Sequence, residues 1–344
     1  MKIVSLFSGA GGLDKGFEKE RFKIIWANEN DKHIIETFSK NFPSTQLVTE
    51  SITDVKLSEI PKCDGIIGGP PCQSWSAAGS HRGKDDPRGQ LFLQNYIKVV
   101  NNKKPKFFLA ENVPGLKYSR HAEAYTSILK QLKRHYVVSD EIYNSFDYGV
   151  AQTRKRLIIV GYRKDLNINF SKPKELKKKY LKDVIKDLER NAVCALGNKE
   201  TRAATTNPKV KIANHEYMYV NEEKNSFHYM SRNRVRSWDE PSFTIPASGR
   251  HVPQHPSAPK MVPVFKNGKK VKNVMEFDKT YKSKLKKYRR LTVRECARIQ
   301  GFPDEFIFYY QNLDHGYKMI GNAVPVTMAQ AFAKQIALDL KNIG

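Results

Sequence analysis

The stretch "KIVSLFSGAGGLDKG" (residues 2–16) decides the fold. A short apolar run, "KIVSLF", gives way to a glycine-rich turn, and the residues after it open a helical pattern. A strand that ends in such a turn and feeds a helix begins a βαβ unit, and α/β proteins bind nucleotide-like ligands at that junction. The glycines let the backbone approach a ligand closely. Asp14 stands where the third glycine of G-x-G-x-x-G would fall, which weakens a pyrophosphate-binding reading. Glu29 closes the next strand about twenty residues on, where a carboxylate can accept hydrogen bonds from both hydroxyls of a ribose. Turn and carboxylate together suit an adenosyl ligand without a pyrophosphate.

Outward from that unit the pattern repeats. Residues 23–28, 65–69, 106–112 and 156–162 read as strands, and helical segments start near Gly12, Asp31, Gly89 and His121. The succession predicts an α/β fold, a doubly wound and mostly parallel sheet with helices on both faces. From about 164 to 287 the chain turns Lys-rich and is punctuated by Asn and Pro, without a clear period. It turns helical again at 291–299, and "PVTMAQAFAKQIALDLK" places Ala329, Phe332, Ala333, Ile336 and Leu340 on one helix face. The expected division is a first domain of 1–163 plus 315–344 and a smaller, irregular domain of 164–314.

The 344 residues carry a formal charge of +25. Residues 164–290 hold 30 Lys and Arg against 13 Asp and Glu, an excess of 17. A single basic run is usually a solvated surface, but this concentration favours a polyanionic partner bound with counterion release. The N-terminus lacks a signal-peptide layout, and no apolar run approaches the roughly 20 residues of a membrane span. The expectation is a soluble, cytoplasmic protein without a membrane partner. Cys63, Cys72, Cys194 and Cys296 lack paired metal spacing and read as free thiols.

Three of those cysteines read as small buried hydrophobes. Cys72 differs. In "GGPPCQSWS" (68–76) it follows two prolines that fix φ and remove backbone donors, just beyond the end of a strand. That context favours a nucleophile. "AENV" brings Glu111 and Asn112 to the same sheet edge, and "QTRKR" sets Gln152, Arg154 and Arg156 on one side of an extended segment. Taken singly, each could be a solvated strand end or a surface charge stripe.

Taken in order, "FSGAGG", "GGPPCQSWS", "RGQLF", "AENV", "QTRKR", "RRLTVRECARIQGFP" and "GNAVP" resemble the cytosine-C5 DNA methyltransferases along nearly the whole chain. Within that family "SRNRVRSWDEPSFTIPASGR" (231–250) is most similar to the HaeIII-type modification enzymes. The resemblance implies a Rossmann-like fold dependent on S-adenosylmethionine, with S-adenosylhomocysteine as product and no metal, plus a target-recognition domain. It implies a cofactor pocket of Phe7, Gly9, Gly11, Gly12, Leu13, Glu29, Pro71, Leu91, Asn322 and Ala323. Where the family carries an Asp for the adenine amine, this chain has Ser51, with Asp54 three residues on.

The implied chemistry is addition of the Cys72 thiolate to C6 of a flipped-out cytosine, which makes C5 reactive, with Glu111 donating at N3. Arg154 would hold the cytosine O2, Arg156 the catalytic loop, and Gln152 would support that loop. Arg294 and Glu295 look structural. Arg232, Arg234, Arg236 and Arg250 are the candidate guanine readers, since arginine is the residue best shaped for bidentate contact with O6 and N7. Lysines such as Lys284 and Lys286 suit phosphates. The expected partner is duplex DNA, methylated at GGCC by a monomer in the bacterial nucleoid, as the modification half of a restriction-modification system with a cognate endonuclease. The competing readings are an RNA cytosine methyltransferase on the same scaffold, a DNA methyltransferase with another target, a nicotinamide-dependent oxidoreductase and a non-catalytic DNA-binding relative.

Overall fold

The computed structural model describes residues 1–71, 95–118, 122–189, 193–194, 216–217, 219–220, 230–278 and 288–341. Cys72, Leu91, Lys284, Lys286 and the helical start near Gly89 lie outside the described residues. By internal contacts the chain forms two compact units. The first is Met1–Gly149, Arg154–Lys177 and Ala323–Gly344; the second is Val150–Thr153 and Lys178–Asn322.

The first unit is built on a seven-stranded sheet: β1 (Lys2–Leu6), β2 (Lys23–Asn28), β3 (Gln46–Val48), β4 (Gly65–Gly68), β5 (Phe107–Asn112), β6 (Tyr136–Asn144) and β7 (Lys155–Arg163), in the order β3-β2-β1-β4-β5-β7-β6. β1 to β5 run parallel, while β7 lies antiparallel to both β5 and β6. The sheet is therefore doubly wound and mostly parallel, as expected. Its winding reverses between β1 and β4, and ligands of open α/β sheets sit beyond the strand ends at such a point.

The sheet is flanked by α1 (Gly12–Lys19), α2 (Ile35–Asn41), α3 (Ile97–Lys103), α4 (Ala122–Leu132) and, at the chain's end, a long helix, Val326–Lys341. One core gathers Val4, Leu6, Trp26, Ile66, Phe108, Ile128, Leu132, Tyr136 and Ile159, all fully buried. Elsewhere Phe17 stacks on Phe107 at 6.2 Å between centroids, and Phe332 meets Tyr143 edge-on at 4.8 Å. The C-terminal helix buries Ala329, Phe332, Ala333 and Ile336, the face its periodicity marks; Leu340 is only half-buried.

Residues 164–177 belong with this unit by contact, although their composition groups them with the basic segment. Ser171 N donates to Asp339 Oδ2, and Leu176 N donates to Asp147 O. The second unit holds α5 (Leu181–Ile185), α6 (Val293–Ile299) and α7 (Leu313–Asn322). It also has an antiparallel hairpin of β11 (Met261–Lys266) and β12 (Lys269–Phe277), and the short pairs β8–β9 (Val193–Cys194, Glu216–Tyr217) and β10–β13 (Tyr219–Val220, Tyr288–Arg289). The C-terminal helix of the first unit is α8 in this numbering. Arg294 and Glu295, both fully buried on α6, are fixed within this unit: Arg294 donates to the carbonyls of Pro303 and Phe306, and Glu295 takes both Arg289 nitrogens at 2.8 Å.

Candidate functional site

The strand register sets the site. Leu6 pairs with Asn28 and with Gly68, Asn28 with Val48, and Gly68 with Ala110, so these residues form one row across five strands. Phe7, Glu29 and Gly69, which follow Leu6, Asn28 and Gly68, leave the sheet at one edge, where Glu111 is the penultimate residue of β5.

The first loop turns sharply, with φ of 53° at Phe7, 56° at Gly9 and 85° at Gly11. A Cβ at Gly9 would meet nothing within 4 Å, so the backbone there borders open space. Gly9 N donates to Glu29 Oε2 and Asp31 N to Glu29 Oε1, each at 2.8 Å. Glu29 thus locks the loop, and burial pushes its carboxyl above the usual carboxylate range. Gly12 and Leu13 are buried in the first turn of α1.

Asp14 is fully buried beside them, and desolvation raises its carboxyl to about 7, which the Ser5 hydroxyl and the helix backbone offset only in part. On the neighbouring segment, Asn28 Nδ2 donates to the carbonyls of Val48 and Glu50. Ser51 and Asp54 share one turn: Asp54 N donates to Ser51 O at 2.9 Å, and the Thr53 hydroxyl contacts Ser51 Oγ at 2.7 Å and Asp54 Oδ1 at 3.1 Å.

At the end of β5, Glu111 is 7 % exposed, and its Oε1 lies 2.8 Å from Arg156 Nε. A Cβ on Gly69 would come within 3.4 Å of Glu111 Oε2, so that carboxylate borders the Gly69-Pro70-Pro71 turn. Asn112 Nδ2 donates to Pro70 O at 3.3 Å, tying the turn to β5. Pro71 is the last described residue before Cys72 in the chain. Arg154, by contrast, is 1 % exposed, with Nη2 donating to Ala323 O at 3.1 Å. Arg156, and not Arg154, therefore stands against the carboxylate.

In the second unit Gln152 is fully buried, its Oε1 accepting from Ile245 N at 3.1 Å. A cavity of about 220 Å³ there is lined by Arg232, Arg234, Arg236, Phe243 and His251. The four arginines divide. Arg234 is buried with Nη1 donating to His251 O; Arg236 pairs with Glu240 at 2.8 Å and lies 4.1 Å over the Phe243 ring. Arg232 and Arg250 are exposed, and neither makes an ion pair among the described residues. Burial, and then the arginine field of Arg234, Arg250 and Arg232, holds the His251 imidazole below its ordinary value. Asn322, at the end of α7, is exposed.

Residues 1–338 match the family model for C-5 cytosine-specific DNA methylase. The chain belongs to that family. The type II methyltransferase M.FnuDI of Fusobacterium nucleatum is 51 % identical over 341 residues, covering 98 % of this chain and 94 % of the relative. M.MthTI of Methanothermobacter thermautotrophicus is 49 % identical over 345 residues, covering 100 % and 99 %. The Entamoeba histolytica methyltransferase EhMeth shares the fold, with a TM-score of 0.66 at 19 % identity over 99 % of each chain.

A C5 cytosine methylase takes its methyl group from S-adenosylmethionine and acts on duplex DNA, and this chain is such an enzyme. The glycine loop fits that cofactor: it leaves open space at Gly9, and Glu29 is tied to the loop at the strand end. Among the described residues no helix of this methylase is long and apolar enough to cross a membrane. Three features carried too little sequence signal to be singled out. Asp14 stood out only as a missing glycine, Phe243 lies inside the 231–250 segment without a mark of its own, and His251 just past it; both reach the arginine cavity by folding.

Proposed function

We propose that this methylase modifies the first cytosine of GGCC in duplex DNA, as the modification half of a restriction-modification system. The catalytic assignment rests on one observation, the Glu111–Arg156 pair beside the Gly69-Pro70-Pro71 turn that leads into Cys72. Cys72 Sγ bonds to C6 of the extruded base, and the C5=C6 double bond gives way to an enamine whose nucleophilic carbon is C5. Glu111 in its protonated form donates to N3 as charge builds there, and Arg156 Nε holds the carboxylate that this proton transfer leaves. Neither arginine then has the role that the resemblance implies: Arg156 serves Glu111, and Arg154 braces the Ala323 carbonyl. S-adenosylmethionine, when bound, supplies an electrophilic methyl group; Phe7, Gly9, Gly11, Gly12, Leu13, Glu29, Ser51, Pro71, Leu91, Asn322 and Ala323 are the residues proposed to hold it. Loss of the C5 proton then re-forms the double bond and expels the thiolate.

The target assignment rests on segment 231–250, in which Arg232 and Arg250 are proposed to read guanines directly while Arg234 and Arg236 shape the cavity behind them. Bisulfite sequencing of DNA from cells expressing the chain reports target atom and sequence context together. The expected result is 5-methylcytosine at GGCC and its absence with Cys72→Ser. Methylation centred on another motif overturns the GGCC assignment and leaves the enzyme class intact.

A further inference from the structure

The second unit carries an arm that the methyl-transfer chemistry does not use. β11 and β12 form an isolated two-stranded ribbon, joined by the two-residue turn Asn267-Gly268 with φ of 49° and 72°. Those left-handed values are the ones a tight two-residue hairpin needs, and Asn-Gly is the pair that adopts them most readily. The root of the arm is fixed: Met261 and Phe277 are buried with Val235 and Ala258 in a small core. Met261 N donates to Asn233 Oδ1, and Met275 N donates to Met230 O. The arm therefore grows directly from the segment that holds Arg232 and Arg234.

Beyond the root its character changes. Lys266, Lys269, Lys270 and Lys272 are all exposed, and none makes an ion pair among the described residues. Phe265 stands among them at 62 % exposure, across the ribbon from Lys270. A large apolar ring left in water at the tip of a cationic hairpin has no role in this unit's own packing. β-ribbons enter DNA grooves, and apolar side chains at such tips wedge against base steps while flanking cations meet phosphates. From Met261 to Lys266 the ribbon spans roughly 17 Å at the usual strand rise. That reach equals about five base pairs of duplex at 3.4 Å each.

We propose that the Met261–Phe277 hairpin is a second DNA-binding element, which grips duplex outside the target sequence with Lys266, Lys269, Lys270 and Lys272 on phosphates and Phe265 inserted in the groove. The proposal rests on the chain being a duplex-DNA methylase, and extends the contact beyond the arginines assigned to the target.

The test compares the full-length enzyme with Lys266→Gln/Lys269→Gln/Lys270→Gln and with Phe265→Ser, on duplexes of one target site carrying either two or ten flanking base pairs on each side. Because all four positions are exposed, both variants should keep the wild-type unfolding temperature, and circular dichroism checks that first. On the long duplex the slope of log affinity against log salt should fall by about 2 to 3 in the triple variant, roughly 0.9 for each lost phosphate contact. On the short duplex, variant and wild type should differ little. Phe265→Ser should lower affinity for the long duplex and remove the fluorescence change of 2-aminopurine placed five base pairs from the site. Equal salt slopes on the long duplex, with wild-type methylation intact, overturn the arm and leave the methylase reading standing. Failure of the wild-type enzyme to methylate any duplex would instead remove the reading on which the arm rests.

Discussion

Arg154 and Arg156 are two residues apart and meet opposite environments, so each residue-scale consequence has its own sign. Arg156 lies 2.8 Å from Glu111 Oε1 at the end of β5. Arg156→Gln should leave folding nearly unchanged and slow single-turnover methyl transfer by about 10²-fold, the lower range for a group serving a general acid. Arg154 is almost wholly enclosed and donates to Ala323 O. Arg154→Ala should lower unfolding stability by about 2–5 kcal/mol, combining a cavity with a stranded carbonyl. Glu111→Gln should cut the chemical step by about 10²–10⁴ while DNA affinity changes little. Denaturant melts and quench-flow single turnovers separate these effects. A catalytically normal Arg156→Gln enzyme would move the arginine role back to Arg154.

At the scale of elements, the contact between α1 and α8 in the first unit sets where the glycine loop ends. A Cβ on Gly16 would lie 2.4 Å from Ala329 Cβ and 2.7 Å from Gln330 N, so the two helices touch backbone to backbone. Gly→Ala in a helix interior normally gains about 1 kcal/mol. Gly16→Ala should instead lose about 1–3 kcal/mol through overpacking and displace the start of α1, weakening cofactor binding in calorimetry. A stabilised variant would show that the helices part freely. Much of this layer was legible beforehand: β1, β2, β4, β5 and β7 are compact apolar runs, and the buried face of α8 is periodic. β6 escaped because Ser139, Asp140 and Glu141 interrupt its alternation; it is the sheet's edge strand and only partly buried, so its residues need not be apolar. The antiparallel direction of β7 escaped because direction is a property of pairing. At the site, Glu111 and the glycine loop were visible as strand-end residues. Their common row, and the choice between Arg154 and Arg156, depend on register and on which side chain finds a buried carbonyl.

For the molecule as a whole, Asp14 in the first unit and His255 in the second are buried titratable groups that respond to pH in opposite senses. In the first unit desolvation raises Asp14 from 3.8 to about 7, with Glu18 and Glu29 adding to the rise. The folded state then binds a proton that the unfolded chain has released between those values. The stability that this proton contributes is complete below 3.8 and is lost as pH climbs through 7, a loss of about 4 kcal/mol at 1.36 kcal/mol per unit. In the second unit burial lowers His255 from 6.5 to about 4, against the pull of Glu295, whose carboxylate lies 3.5 Å away. Here the unfolded chain binds the extra proton. The stability is complete above 6.5 and is lost as pH falls towards 4, about 3 kcal/mol in all. Asp14→Asn should therefore flatten the decline in stability between about pH 4 and 7, and His255→Gln the decline between pH 6.5 and 4. The measurement is urea unfolding of wild type and both variants at half-unit pH steps, followed separately by probes in each unit. Trp26 lies in the first unit and Trp238 in the second, so single-tryptophan variants report the two transitions independently. If Asp14→Asn instead leaves the slope between pH 4 and 7 unchanged, the carboxyl is ionised in the folded enzyme over that range and the raised value is overturned.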